Sequence, residues 1–173
     1  MKRNILILMT LIWSCAAFAS TLKVVAGNHK FLKDKGTIAV VFNWDQAKYA
    51  DDTKSLKDEW KDEYQKYVED GEKFFVDGFN LKTKTLKAVA ASEANDAQYT
   101  MTVTITKIDY FFSVMSIVPG HKYTLWADIS IKDATGKEVC AVKAERFKGG
   151  RDFVRYDAYT EMMNDLGSHL ASI

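Results

Sequence analysis

Cysteine is almost absent from this sequence, which has only Cys15 and Cys140 in 173 residues. Residue 15 falls within an N-terminal segment that resembles a removable export signal. The remaining part then has a single cysteine, which cannot form an internal disulfide, so packing must hold the fold together. Cys140 lies in the apolar run Val139–Val142, where we expect a small core residue rather than a reactive thiol.

Proline, long apolar runs and repeats are also scarce. Proline occurs once, at Pro119, and no later segment is apolar for the roughly 20 residues that a membrane-spanning helix requires. Composition is even along the chain, without linkers or low-complexity tracts. The sequence therefore predicts one domain over residues 20–173, with a sizeable core and no transmembrane helix.

The first nineteen residues have the three parts of a secretory signal peptide. A positive start is followed by a short apolar run and a small-residue cleavage site, in the order Lys2-Arg3, Ile5–Trp13 and Ala17-Phe18-Ala19. The apolar run is too short to cross a bilayer. We therefore expect residues 1–19 to be removed on export, and the protein to work in the periplasm or at the outer membrane.

Cys15 leaves a second interpretation open, in which this residue carries a lipid anchor. Lipoprotein signals place a small or branched residue at the position that Trp13 occupies here, so the sequence favours a cleaved soluble product. Loss of Lys2 and Arg3 with the signal changes the formal net charge from +1 to −1. Such a balance does not indicate nucleic-acid binding.

Hydrophobic periodicity predicts the elements of the domain. Alternating or β-branched stretches indicate strands at about 37–44, 99–110, 122–132 and 138–147, and amphipathic stretches indicate helices at about 52–79 and 155–171. The predicted apolar faces of the two helices consist of Leu56, Trp60, Tyr64, Tyr67, Val68, Phe75 and Phe79, and of Tyr159, Met162, Met163, Leu166 and Leu170. Gly71 either interrupts the first helix or lets it pack closely. Leu86–Val89 adds a fifth strand in one interpretation, and the rest of 81–97 is unassigned. The order β-α-β-β-β-α predicts an α+β two-layer sandwich, with two helices on one face of a mainly antiparallel four-stranded or five-stranded sheet.

The outer face of the three consecutive strands is a candidate binding surface. Alternation places Met101, Val103 and Ile105 of one strand and Tyr123, Leu125, Ala127, Ile129 and Ile131 of the next towards the core. The opposite phase carries Thr100, Thr102, Thr104, Thr124, Trp126 and Ser130. A tryptophan among short hydroxyl side chains suits contact with a protein or a glycan. In the alternative interpretation, Trp126 only covers its strand neighbours or lies beneath residues 20–35.

The segment between the second and third strands is a candidate apolar tip. Its large side chains are Phe111, Phe112, Val114, Met115 and Ile117. A tight hairpin at Pro119-Gly120 would pair Tyr110 with Ile129 and would put the apolar set on the wrong face. Either a bulge near 107–109 restores the register, or residues 111–118 leave the sheet. The segment is then a second patch of core, or an exposed tip that meets a partner or a membrane.

Motifs for catalysis, metals and cofactors are missing. No hydrolase or nucleotide-binding fingerprint occurs, and the histidines lack ligand-spaced partners at His29, His121 and His169. Gly149-Gly150 lacks the lysine and serine of a phosphate loop and indicates a turn. The carboxylates Asp157, Glu161 and Asp165 have the spacing of a solvated helix face. We expect no catalytic residues, no metal and no cofactor.

Three features carry a resemblance to a known group of proteins: the strand opening Ala97-Gln98-Tyr99, the hairpin turn Asp133–Val139, and the closing amphipathic helix. In these features the chain resembles small periplasmic domains and envelope lipoproteins, among them the lipopolysaccharide-transport lipoprotein of the outer membrane and the curli-secretion lipoprotein. The resemblance implies a non-enzymatic role in assembly or in binding a protein, glycan or lipid of the envelope. The rival hypothesis is a secreted hydrolase that uses scattered acids such as Glu59 and Glu63.

Export with cleavage after Ala19 is directly testable. Protein recovered from the native envelope should have an intact mass that begins at Ser20, because the small-residue site directs the signal peptidase there. A diacylated species that begins at Cys15 would instead identify a lipoprotein.

Overall fold

The computed structural model describes residues 21–50, 52–113 and 119–173, so the predicted signal peptide and Cys15 lie outside the described residues. In chain order the elements are β1 (Thr21–Gly27), β2 (Gly36–Asn43), β3 (Lys48–Tyr49), β4 (Lys54–Ser55), α1 (Leu56–Trp60), α2 (Tyr64–Lys82), β5 (Leu86–Ala90), β6 (Tyr99–Ser113), β7 (Gly120–Asp133), β8 (Glu138–Asp152) and α3 (Arg155–Leu170). Short 3₁₀ turns occur at His29–Lys33, Lys61–Glu63 and Ala91–Glu93.

The eight strands in the described part of the chain form one mixed sheet. Their order is β1-β8-β7-β6-β2-β5, with β3 paired to β6 and β4 paired to β3. Strands β6, β7, β8 and β1 are antiparallel neighbours, whereas β2 pairs in parallel with both β5 and β6. The predicted four-stranded or five-stranded, mainly antiparallel sheet in the order β-α-β-β-β-α is therefore wrong.

Three physical features account for this error. Helix α2 returns the chain from the end of β2 to the start of β5, so the second of these strands runs parallel to the first. Strand β1 lies at the sheet edge with Val24 and Val25 exposed, and its pairing shifts at residue 25. It therefore lacks the alternation by which a strand is recognised in a sequence. Strands β3 and β4 have two residues each, too few for any period.

The helix predicted over 52–79 is divided in the structure. Ser55 caps α1 by accepting the Asp58 N–H at 3.1 Å, and the chain then turns at Lys61, where φ is +49°. Helix α2 begins three residues later. The predicted apolar face nevertheless stays buried at Leu56, Trp60, Tyr67, Phe75 and Phe79.

The core lies between one face of the sheet and the two long helices. The inward sets predicted for β6 and β7 are confirmed, since each member is at most 2% exposed: Met101, Val103, Ile105, Tyr123, Leu125, Ala127, Ile129 and Ile131. The predicted stripe of α3 is buried as well, at Tyr159, Met162, Met163, Leu166 and Leu170. Cys140 is buried in the same cluster. In the described ranges, no helix is both long and apolar enough to span a membrane.

Glycines allow α2 and α3 to pack closely. A Cβ atom added at Gly78 would lie 2.0 Å from the Asn164 carbonyl oxygen, and one added at Gly71 would lie 2.1 Å from the Tyr159 hydroxyl. The sequence left two roles open for Gly71, a helix interruption or close packing. The structure shows close packing, because α2 is continuous through this residue. The Tyr159 hydroxyl uses the space to donate to the Tyr67 carbonyl at 2.8 Å.

Substitution of Gly78 by alanine should destabilise the protein. The new methyl group overlaps the backbone of α3, so we expect Gly78→Ala to lower the free energy of unfolding by about 2–4 kcal/mol. Urea denaturation measures this change. The matched control is Leu81→Ala on the exposed side of the same helix, which should cost under about 0.5 kcal/mol. Equal stability of the two variants would contradict the close helix contact.

Candidate functional site

A β-bulge in β6 determines which side chains are exposed at the far end of the sheet. Ile105 pairs with Ala127 and Lys107 pairs with Trp126, so Thr106 is an extra residue on one strand. Beyond the bulge the even-numbered residues take the core side. Of the two alternatives, the bulge that restores the register is confirmed, although it lies at 106 rather than at 107–109.

The strand continues beyond the bulge to Ser113. Tyr110 pairs with Tyr123, and not with Ile129 as a tight hairpin at Pro119-Gly120 would require. The pairing that was expected from that turn is therefore wrong, because the hairpin closes between residues 113 and 120.

Four large apolar side chains at this end of the molecule are exposed, and we call them the aromatic end. Their exposed fractions are 64% for Phe111, 44% for Phe112, 68% for Phe153 and 52% for Val154. Strand pairing brings them together, because Phe112 pairs with His121, which in turn pairs with Asp152 beside Phe153. The described part of the predicted tip is thus exposed surface rather than core. Val114, Met115 and Ile117 lie outside the described residues.

Basic side chains border the aromatic end. Phe111 pairs with Lys122, and Lys122 pairs with Arg151 on the next strand. These three residues and Lys148 line a cleft of 590 Å³. Its acidic members are Glu161 and Asp165 of α3. An apolar group beside several cations is the composition of surfaces that contact anionic membranes.

The backbone at Gly149-Gly150 is already engaged, and so it is not a phosphate loop. Gly150 N–H donates to the Asp165 carboxylate at 3.3 Å, and Arg151 N–H donates to the Glu161 carboxylate at 2.8 Å. A Cβ atom added at Gly150 would lie 1.9 Å from the Ala158 carbonyl oxygen. The two glycines therefore let α3 approach β8, in agreement with the turn that the sequence predicts.

Arg155 joins three elements next to the aromatic end. Its guanidinium donates to the Tyr123 hydroxyl at 3.1 Å, pairs with the Glu59 carboxylate at 3.3 Å, and lies 4.6 Å from the centre of the Tyr110 ring. Burial raises the pKa of Tyr123, which keeps this hydroxyl protonated. Glu59 is thus held in an ion pair, whereas Glu63 is exposed. These are not the two buried carboxylates in one pocket that the hydrolase hypothesis requires.

The histidines and the helix carboxylates do not form a metal site in the described residues. No group of three or more potential ligands occurs there. His121 instead stacks on the Tyr110 ring, contacts the Phe112 ring at a tilt, and hydrogen-bonds to the Tyr110 hydroxyl through Nδ1. His169 Nδ1 lies 2.8 Å from the Asp165 carbonyl oxygen.

The candidate binding surface lies on the face of the sheet opposite the helices. Thr100 is exposed, while Thr102, Thr104, Thr124, Trp126 and Ser130 are half-buried. The Lys107 ammonium lies 5.4 Å from the centre of the Trp126 ring. Residues 21–27 do not cover the tryptophan, because they pair with the far side of β8.

Sequence reasoning missed Phe153 and Val154. The two residues form no periodic pattern between β8 and α3, so their sequence carries no strand or helix signal. Asp152 is the local clue, since its carboxylate accepts the Val154 N–H at 3.0 Å. An aspartate before an apolar pair and a helix is typical of a helix entrance.

Truncation of Trp126 tests its place on the surface. The indole is half-buried, so we expect Trp126→Ala to cost about 1 kcal/mol of unfolding free energy, well below the roughly 3–5 kcal/mol for a buried tryptophan. Thermal or urea unfolding measures the difference, with the neighbouring Thr124→Ala as control. A binding role for this face further predicts loss of partner capture from envelope extracts. A loss above about 3 kcal/mol would place Trp126 in the core.

Comparison with known proteins gives only distant structural likenesses. No family model and no curated protein matches the sequence. A PelC dodecamer structure from Paraburkholderia phytofirmans is 8% identical at a TM-score of 0.45, and the match covers 86% of this chain and 96% of that one. A structure from Helicobacter pylori described as a putative neuraminyllactose-binding hemagglutinin homologue is 8% identical at a TM-score of 0.37, and the match covers 86% of this chain and 87% of that one. A DUF330 protein from Xanthomonas campestris is 11% identical at a TM-score of 0.40, and the match covers 88% of this chain and 91% of that one.

Proposed function

We propose that this chain is a non-catalytic protein of the cell envelope that binds a membrane surface through its aromatic end. The observation that carries the proposal is the exposure of Phe111, Phe112, Phe153 and Val154 at one end of the sheet. Large contiguous apolar patches on a folded domain usually mark an interaction site. The predicted export signal and the resemblance to envelope domains support the same location.

Simple energetics favour a lipid interface. Removal of one phenylalanine side chain from water contributes about 1.5–3 kcal/mol, so three of them suffice for reversible binding. Each cation near an anionic leaflet adds about 1 kcal/mol, and the three cations of the cleft beside Phe111, which are Lys122, Lys148 and Arg151, outnumber its two carboxylates. The aromatic side chains lie on paired strands or directly after one, which limits the entropy lost on binding.

The absence of a catalytic role is part of the proposal. Of the acids in the hydrolase hypothesis, Glu59 is paired with Arg155 and Glu63 is exposed. The backbone N–H groups of Gly150 and Arg151 are bound to carboxylates. Both arrangements favour a structural use of groups that an enzyme would keep available for substrate.

A second candidate function is recognition of a protein or glycan by the outer face of the sheet. The exposure of part of the Trp126 ring among Thr102, Thr124 and Ser130 favours it. The contributions of the two surfaces can be measured separately, because Trp126→Ala changes only the outer face of the sheet and Phe111→Ser/Phe153→Ser changes only the aromatic end.

Vesicle co-sedimentation tests the proposal. We expect the protein to sediment with vesicles that contain phosphatidylglycerol, and to do so more weakly with pure phosphatidylcholine or at high salt, because salt screens the cations. The double variant Phe111→Ser/Phe153→Ser should lose binding by at least about tenfold, since the apolar contribution of two rings is removed.

The matched control is Leu81→Ser, which removes an equally exposed apolar side chain on α2. It should bind vesicles like the parent protein, and all variants should keep the parent melting temperature. Sedimentation that is unaffected by the double substitution, or that does not occur with any vesicle, would contradict membrane binding by the aromatic end.

A further inference from the structure

Strand β2 has an incomplete neighbour at its C-terminal end. β6 pairs with it through Asn43, whereas β5 pairs with it only as far as Val40. The chain leaves the sheet after Ala90, in the turn Ala91–Glu93. On the β5 side, no strand in the described ranges pairs with residues 41–43. Because backbone groups alternate in direction along a strand, this stretch presents donors and acceptors to the open side.

The open edge borders a cleft of 640 Å³ between β2, the end of β5 and α2. Its apolar part is formed by Val41, Phe42 and Val76. The cleft therefore combines a strand edge with an apolar floor, the combination by which proteins accept an extended peptide as an additional strand.

Negative charge dominates the walls of this acidic cleft. One lysine lines it, Lys73, and its ammonium is paired with the Asp77 carboxylate at 2.9 Å. The four carboxylates are those of Glu69, Glu72, Asp77 and Glu93. Glu72 accepts a hydrogen bond from Trp44 Nε1 at 2.9 Å, and Glu69 accepts one from Gln65 at 2.8 Å. Both of these donors are neutral and leave the carboxylate charge in place. Burial raises the pKa of Glu72, so a cation held beside it would ease the cost of its ionised form.

We propose that the acidic cleft binds an extended cationic segment of a partner protein, which pairs with residues 41–43 as a parallel strand in line with β5. This inference rests on the open edge and the charge of the cleft, and is independent of the aromatic end.

Strand register determines which residue of the peptide is recognised. Ala88 and Ala90 pair with Ile38 and Val40 and lie on the core side. By the same alternation, a peptide residue opposite Phe42 faces α2 and its carboxylates. A lysine or arginine at that position can lay its aliphatic part on the apolar floor and place its charge near Glu72. Its two neighbours face outward, where β-branched residues favour the extended form.

Fluorescence anisotropy with a labelled peptide of alternating valine and lysine tests the proposal. We expect this peptide to bind the protein. A peptide with glutamate in place of lysine, and one whose backbone is N-methylated at alternate residues, should each bind at least about tenfold more weakly. The first lacks the charge complementarity, and the second lacks the donors for the strand edge.

Two variants test the location of the site. Glu72→Gln keeps the acceptor for Trp44 but removes the charge, and should weaken binding about fivefold. Glu69→Gln, at an exposed position on α2, should weaken it in the same direction without any effect on folding. The control Glu145→Gln changes an exposed carboxylate on β8 and should leave affinity unchanged.

The proposal is overturned if the lysine peptide fails to bind at millimolar concentration, or if the N-methylated peptide binds equally well. It is also overturned if sedimentation equilibrium shows a dimer that Glu72→Gln weakens but that the lysine peptide does not dissociate, because a second copy of the chain would then occupy the edge. The vesicle experiment on Phe111 and Phe153 is unaffected by any of these results.

Discussion

The contact between α2 and α3 is the constraint on which the remainder of the fold depends. Without a disulfide in the described chain, the inner face of the sheet is protected from water by these two helices, together with the short helix α1. Gly78 and Gly167 let one backbone approach the other so closely that a Cβ atom would lie about 2 Å from a carbonyl oxygen of the facing helix, and Gly71 leaves the same space for the Tyr159 hydroxyl. Two helices packed in this way form a single apolar surface, and the inward side chains of the sheet pack against it.

Bulges in the long strands change which side chains face the two helices. The extra Thr106 in β6 and the positive-φ Arg146 in β8 each change which residues face the helices. Beyond the bulge, Phe111 takes the outer face of the sheet and Phe112 the helix side, and both are exposed because they lie at the far end of the strand. Nearby, Arg155 joins α3 to β7 and α1, so the exposed aromatic side chains lie next to an anchored part of the molecule.

The two candidate surfaces differ in chemistry and in place. One is apolar and bordered by Lys122, Lys148 and Arg151; the other is a cleft lined by carboxylates next to an unpaired length of β2. A chain with a net charge close to zero can therefore present opposite local charges to different partners. Such a separation suits an accessory protein that contacts a lipid surface at one end and another polypeptide at the side.

The sequence by itself determined the features that depend on local periodicity. It correctly predicted the inward residues of β6 and β7 and the apolar stripe of α3, because each follows from side-chain alternation along a single strand or helix. A bulge near 107–109 was one of two alternatives that alternation left open, and the pairing across the hairpin decided between them. Only the tertiary structure decided the parallel pairing of β2 with β5 and β6, the presence of β1, and the place of Phe153 at the same end of the sheet as Phe112. These depend on contacts between segments far apart in the chain. No periodic pattern within one segment records which distant segment becomes its neighbour.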